Sequence, residues 1–348
     1  MENFDRLVLN PESLGTYKMC FDANGSNKDV KKIQWQFFNE ADSGDLVEIA
    51  YDRDNQRAAA IYAISRVHFQ IENQSLLGTQ SLDTITDVNY RGKGLFINLA
   101  KSVYDKARKD GISLVYGFPN GNSIHGFENK LGWTVLDPVP FLIKPLKTKF
   151  FSDRIRFLRF MPNISLPFFR HRETAGHTIS QLDYFPEEVT DLWKKFSKNV
   201  SVSVYRDKHY LDWRYIEKPD ESYQIYHCYD SDQFYRGFVV FTVKDKHDGR
   251  VGYIMELIFD PSYESVGRQL LSLAVSKIRE QNGDLILAWC FDHSPNYKAF
   301  SKMLFFNLPL KLRPIELHFG VLSFQDRLKS ILGKRENWYI SYSDSDTV

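Results

Sequence analysis

The seven residues Tyr90-Arg91-Gly92-Lys93-Gly94-Leu95-Phe96 combine two glycines, two cations and the start of an apolar-periodic run. They stand between a strand-like stretch, Ser81–Thr86, and a helix-like one, Leu95–Lys109. Glycines in such a turn let the main chain approach a ligand with no Cβ in the way. The helix behind the turn directs unpaired N–H groups and a partial positive charge at that ligand. Arg91 and Lys93 add full charges. The chemistry this suits is a grip on a pyrophosphate. Two glycines alone often make only a turn. Here the cationic flanks and the strand–helix setting point to a nucleotide-bearing ligand, and so to an enzyme.

The elements that must position this turn recur along the chain. Asp45–Tyr51, Ala58–Arg66 and Ser81–Thr86 read as strands, followed by the turn and an amphipathic helix. A buried strand Ile112–Phe118, a short helix Ser123–Lys130 and a closing strand near Thr134–Ile143 come next. The second half repeats the order with strands Tyr223–Tyr229, Gly237–Lys244 and Gly252–Phe259, helix Leu270–Glu280, strand Asp284–Phe291, helix Tyr297–Leu304 and last strand Ile315–Gly320. Trp35-Gln36-Phe37-Phe38 and Trp213-Arg214-Tyr215 precede the first strand of each half. Gly111 and Gly283 punctuate both helix-to-strand joins, as helix C-caps often do. A meander followed by alternating helices and strands implies an α/β fold, α+β in its strand order, with a mixed sheet in each of two tandem copies.

Composition sets the outer bounds. A chain of 348 residues is comfortable for two domains. Its formal net charge of +1 gives no bulk electrostatic argument for nucleic acid. The N-terminus shows no basic lead or apolar h-region, and no apolar run reaches the about 20 residues that span a bilayer. Cys20, Cys228 and Cys290 are odd in number and widely spaced. They form no metal-ligand spacing and no disulfide framework, so no metal is expected and a cytoplasmic location is. Between the halves, Lys144–Arg172 is basic and aromatic: Lys144, Lys147, Lys149, Arg154, Arg156, Arg159, Arg170 and Arg172 interleave with Phe150, Phe151, Phe157, Phe160, Phe168 and Phe169. Such a stretch reads as a connecting segment, a phosphate-binding rim or a contact for an anionic membrane surface.

The order strand, Tyr90-Arg91-Gly92-Lys93-Gly94, helix, buried strand, Lys130-Leu131-Gly132-Trp133 resembles the GNAT superfamily of acyl-CoA-dependent N-acyltransferases. The resemblance implies coenzyme A pyrophosphate on Arg91, Gly92, Lys93, Gly94, Leu95 and Phe96. The family's last small residue is replaced by Phe96. It implies a pantetheine arm pairing with the edge Thr84-Ile85-Thr86 like an added strand. It also implies a phenolic acid on the short helix Ser123–Lys130, where this chain has Glu128. The second half's turn, Asp260–Arg268, has one glycine and added acid, so one acyl-CoA site is expected, in the first half. Residues 1–148 are then a GNAT-like domain carrying the acyl-CoA site. Residues 149–178 are the basic, aromatic connector, and 179–348 a degenerate GNAT-like domain contributing to the acceptor site. The whole arrangement, with Tyr210–Tyr215 in the middle and Trp338-Tyr339 before Asp344-Ser345-Asp346, resembles bacterial two-domain N-acyltransferases. Enzymes of that group acylate a nucleotide-linked aminodeoxysugar such as a dTDP-3-amino-3,6-dideoxyhexose.

Acyl transfer to an amine needs a fixed thioester, a neutral amine, a stabilised oxyanion and a protonated leaving thiolate. A backbone N–H near Ile85 would polarise the carbonyl, and holding both reactants in register supplies much of the rate. Asp83 is the first candidate base, with His125 and Glu128 as the others. Each also has a plainer reading, as a strand-edge carboxylate or a solvated helix residue. Tyr116 and Ser123 are candidate donors to the thiolate. Asn120 and Asn122 either cap the short helix or touch the cofactor. Trp35, Arg214 and Tyr215 are candidates for the acceptor, Arg214 because a guanidinium forks a phosphate. Asp344 and Asp346 read as solvated tail residues or sugar-hydroxyl ligands. Two rival functions remain on the sequence: a tandem-GNAT cell-wall transferase using aminoacyl-tRNA, and a CoA-binding module with a dead site. An acceptor carried on a membrane lipid is a third possibility.

Overall fold

The computed structural model describes residues 4–39, 42–152, 160–166, 176–313 and 315–348. Arg154, Arg156, Phe157, Arg159, Phe168, Phe169, Arg170 and Arg172 of the connector, and the side chains of Phe150 and Phe151, lie outside the described residues. The chain forms mixed α/β structure in two compact units. Unit 1 comprises residues 1–138, 218–220 and 317–337, and unit 2 comprises 139–217, 221–316 and 338–348.

In unit 1, β1 (Phe4–Val8), β2 (Val47–Asp52), β3 (Arg57–Ile71) and β4 (Gln74–Thr86) form an antiparallel meander. β5 (Leu114–Gly117) joins β4 in parallel after the crossover helix α3 (Leu95–Lys109). Leu95, Leu99, Ala100, Val103, Tyr104 and Ala107 recur at helical spacing and bury one stripe of α3 against the sheet. Its last turn carries Lys106, Arg108 and Lys109, which suit the negative end of the helix dipole and leave the first turn free of acid. α1 (Leu14–Ala23) and α2 (Val30–Phe37) cover the opposite face through Tyr17, Cys20, Ile33 and Phe37. The short α4 (Ile124–Leu131) follows β5, and β6 (Thr134–Val135) lies at the outer edge.

Unit 2 is completed by β7 (Phe141–Pro145) and repeats the plan. β8 (His177–Gln181), α5 (Glu188–Phe196) and α6 (Lys208–Tyr215) are followed by β9 (Gln224–Asp230), β10 (Tyr235–Lys246) and β11 (Gly249–Phe259). α7 (Glu264–Glu280), β12 (Leu285–Trp289), α8 (Tyr297–Lys302) and β13 (Phe306–Asn307) end it. The sheet orders are β1-β2-β3-β4-β5-β14-β6 and β8-β9-β10-β11-β12-β7-β13, where β14 is Gly320–Ser323.

Two sequence expectations change here. β3 and β4 extend far beyond Ala58–Arg66 and Ser81–Thr86, because their distal halves have one solvated face and lack the apolar run that marks a buried strand. The expected closing strands are also redrawn. Thr134–Ile143 is broken at Pro138 and Pro140 into β6 and β7, and the strand expected at Ile315–Gly320 forms instead at Gly320–Ser323. β7 runs antiparallel to β12, whereas β14 runs antiparallel to β5. Each sheet is thus completed by the closing strand of the other half of the sequence, so the units do not divide at one point in the chain.

Candidate functional site

The site is built where β4 and β5 part. Their parallel ladder covers only Thr79, Gln80 and Ser81 of β4. Beyond it, among the described residues, Thr84–Thr86 are laddered to β3 alone. A bulge marks the parting: Ile64 pairs with Ser81 and Tyr62 with Thr84, so Ala63 faces both Leu82 and Asp83. Bulges re-aim a strand where pairing ends. The opening holds a cavity of about 90 Å³ lined by Ser81, Leu82 and Thr84 on one side and by Phe118, Pro119, Asn120, Ser123 and Phe127 on the other. The Thr84 hydroxyl is buried with no hydrogen-bond partner among the described residues. An orphaned hydroxyl beside an open strand edge fits an arm carrying amide groups.

The glycine turn follows the parted C-terminal end of the same strand. Asp87 accepts the amide of Asn89 at 2.9 Å and ends β4. Gly92 and Gly94 then take φ of +78° and +73°. Gly94 is the N-cap of α3, whose ladder begins with Asn98 N–H on Gly94 O at 3.1 Å. The amides of Leu95, Phe96 and Ile97 precede that ladder. Arg91, Gly92, Lys93 and Gly94 are exposed, and a Cβ built on Gly92 meets nothing within 4 Å. The Lys93 ammonium rides over the Tyr90 ring, 4.8 Å from its centroid. Phe96, the departure from the family pattern, has a structural counterpart in Gly126 of α4. A Cβ there would lie 2.6 Å from the Phe96 ring. Phe96 packs on Phe127 at 5.0 Å between centroids, in the space that Gly126 leaves open.

The candidate proton-transfer residues separate. His125 and Glu128 are exposed on α4. Asp83 lies at the bulge, bonded to the Lys28 ammonium and the Tyr17 hydroxyl. Lys28 is buried, donates to Gln36 Oε1 at 2.5 Å and sits among the rings of Tyr17, Phe21 and Phe37. Asn120 accepts the amides of Asn122 at 3.0 Å and Ser123 at 3.2 Å through Oδ1, so its side chain shapes the entry to α4 while the residue lines the cavity. Asn122 itself is exposed. Ser123 also lines the cavity. Tyr116 is buried between Phe69 and Phe118. Trp35 is half-buried on α2 with the Lys218 ammonium 5.7 Å from its ring centroid. No cysteine offers a nucleophile: burial pushes the Cys20 and Cys228 thiols up to about 12, and Cys290 higher.

Arg214 and Tyr215 belong to the interior of unit 2. Arg214 donates to the carbonyls of Ser343, at 3.0 Å, and Ser345, and Tyr215 packs edge-on against Tyr223. Asp344 is buried rather than solvated and pairs with Arg206 at 2.6 Å.

Sequence reasoning missed Lys28 and its partner in the repeat. Register places Glu256 of β11 where Asp83 stands in β4, again beside a bulge. Arg206 binds Glu256 at 2.6 Å. Lys28-Asp29 precedes α2 and Arg206-Asp207 precedes α6, each cation seven residues before Trp35 or Trp213. That spacing was the available signal. In unit 2 the corresponding edge is taken by the chain itself. Asn296 donates to Leu257 O at 2.9 Å, and Tyr339 and Ser341 donate to Glu256 at 2.5 and 2.9 Å. The pair His318–Asp137 was also missed, because 181 residues separate its members. The His318 amide binds the carbonyl of cavity-lining Pro119 at 2.9 Å.

Residues 11–136 match the acetyltransferase (GNAT) domain family. No curated protein sequence matches the chain. Among solved structures, Saccharomyces cerevisiae N-myristoyltransferase with bound myristoyl-CoA superposes with a TM-score of 0.64 at 13% identity, covering 92% of this chain and 83% of that one. A GCN5-related N-acetyltransferase from Anabaena variabilis gives 0.64 at 13%, covering 95% and 75%. A probable N-acyltransferase from Enterococcus faecalis gives 0.58 at 12%, covering 91% and 71%. These likenesses establish a GNAT-like fold.

Proposed function

We propose that this chain is an acyl-CoA-dependent N-acyltransferase that transfers the acyl group directly to an amine in a ternary complex. One observation carries the reading: β4 leaves β5 with a free edge, and the same strand runs into a glycine turn heading α3. Amides of residues 92–97 with Arg91 and Lys93 would hold the pyrophosphate, and the edge Thr84–Thr86 the pantetheine arm. The thioester of the bound co-substrate supplies the activated acyl group. The Ile85 region would orient the carbonyl, the Ser123 hydroxyl would donate a hydrogen bond to the leaving sulfur, and the proton that Asp83 or the His318–Asp137 pair takes from the amine would balance the one the thiol gains. The buried, protonated cysteines support direct attack over an acyl-enzyme.

For the acceptor we propose the amine of a nucleotide-linked aminodeoxysugar such as a dTDP-3-amino-3,6-dideoxyhexose, used in a surface polysaccharide. Its support is the sequence resemblance. Arg214 is committed to main-chain carbonyls, so the acceptor's phosphates would need other cations. The test is a thermal-shift screen of acyl-CoAs crossed with nucleotide-sugars. A ligand at 100 times its Kd adds about 2.7 kcal/mol to the folded state, which reads as several degrees. A shift with acyl-CoA, followed by amide formation on one sugar amine, is expected. Shifts with acyl-CoA but no product across the amines would favour an inactive CoA-binding module, and tRNA binding without acyl-CoA binding the cell-wall transferase.

A further inference from the structure

Unit 2 carries an apolar, basic edge that no residue of the candidate site shares. Of the exposed large apolar side chains among the described residues, half fall in two short stretches: Phe160 and Ile164, and Leu304, Phe306, Leu310 and Ile315. Leu304 and Leu310 are each 69% exposed and Phe160 is 93% exposed. Hydrogen bonds lay both stretches along the outer side of β7 and its extension. Leu308 N–H binds Phe141 O at 2.8 Å, Phe306 pairs with Ile143, Lys144 Nζ binds Met303 O at 2.7 Å, and Thr148 N–H binds Ile164 O at 3.0 Å. The exposed groups therefore follow one line along the last edge of the sheet, where β13 is only two residues long.

The charge on this edge is mainly positive. The chain as a whole balances 45 Lys and Arg against 44 Asp and Glu. The stretches 139–152, 160–166 and 292–316 hold Lys144, Lys147, Lys149, Lys298, Lys302, Lys311 and Arg313 against two acidic residues, Asp292 and Glu316. Some of these cations are answered from elsewhere, Lys147 by Asp284 at 2.8 Å and Lys298 by Glu264 at 2.6 Å. Lys311 is exposed beside Leu310 with no acidic partner among the described residues. A second copy docking by a two-fold axis would set the same cations against one another. A surface that accepts Leu and Phe and answers Lys and Arg with negative charge is the headgroup layer of an anionic bilayer. No helix among the described residues is long and apolar enough to cross a membrane, so the contact is peripheral.

We propose that the edge formed by Leu304, Phe306, Leu310, Lys311 and Ile164 docks this protein on the surface of anionic lipid bilayers. The test is co-sedimentation of the full chain with vesicles of phosphatidylcholine alone or with about a third phosphatidylglycerol. Strong binding is expected only with phosphatidylglycerol, weakening as salt rises. Lys311→Glu should lower the partition coefficient about tenfold, and Leu304→Asn with Leu310→Ser at least as much, with melting temperatures unchanged. Three results would overturn the proposal: no binding to either vesicle, equal binding to both, or variants that bind as the wild type. Sedimentation velocity adds a fourth: a wild-type dimer that the Leu304→Asn, Leu310→Ser variant breaks would assign the edge to self-association.

Discussion

The side chains nearest the parted strands form a buried ion pair, Lys28 with Asp83, and the repeat holds Arg206 with Glu256 at the same place. The Lys28 ammonium and the Tyr17 hydroxyl hold the Asp83 carboxylate in position. Removing one partner of such a pair strands the other charge in an apolar setting, at a cost of about 3–5 kcal/mol. Lys28→Met should destabilise unit 1 by that amount in urea unfolding, and adding Asp83→Leu should restore most of it. A single variant as stable as the wild type would show the pair to be incidental. Sequence alone offered Asp83 as a carboxylate on a strand but not Lys28, because nothing local ties a lysine before α2 to a residue 55 positions on. Phe96 was legible as a departure, whereas Gly126, which admits it, lies on another helix.

Elements whose signals are local were readable. The turn at Gly92 and Gly94, the stripe of α3 and the helix after Ser123 all announce themselves within a few residues. Strand ends were not, since β3 and β4 run on past the core with one face in water. Within β9, His227 is buried against Phe185 and Phe238, with Nδ1 2.7 Å from the Tyr235 hydroxyl and Nε2 unpartnered. Burial pushes its pKa down to about 4, from 6.5. The unfolded chain therefore binds the extra proton first. The neutral ring's contribution is complete above pH 6.5 and is lost as pH falls through 4, up to about 3 kcal/mol. His227→Phe should remove that part of the acid sensitivity, seen as a smaller drop in unfolding free energy between pH 7 and pH 4.5. An unaltered drop would mean the ring is protonated in the fold.

At the scale of the molecule, tandem repetition was legible because the order of strands, helices and tryptophans recurs. The exchange of closing strands was not. An alternating pattern reports which face of a strand is buried, never which sheet receives it, and β7 and β14 suit either. Repetition does not duplicate the site. In unit 2 the edge beside Glu256 is bonded to Asn296 and the segment from Trp338 to Asp344, and α7 opens without a glycine turn. The whole chain should therefore hold one coenzyme A, on the turn at the head of α3. Calorimetric titration of the wild type and of Gly94→Asp tests this most directly. Gly94 holds a φ of +73°, where aspartate costs about 1–2 kcal/mol, so the fold should persist at a somewhat lower melting temperature while the carboxylate repels the pyrophosphate. The account predicts one coenzyme A per wild-type chain and none measurable for Gly94→Asp under conditions where the variant is still folded; undiminished binding by the variant, or two per chain, would contradict it.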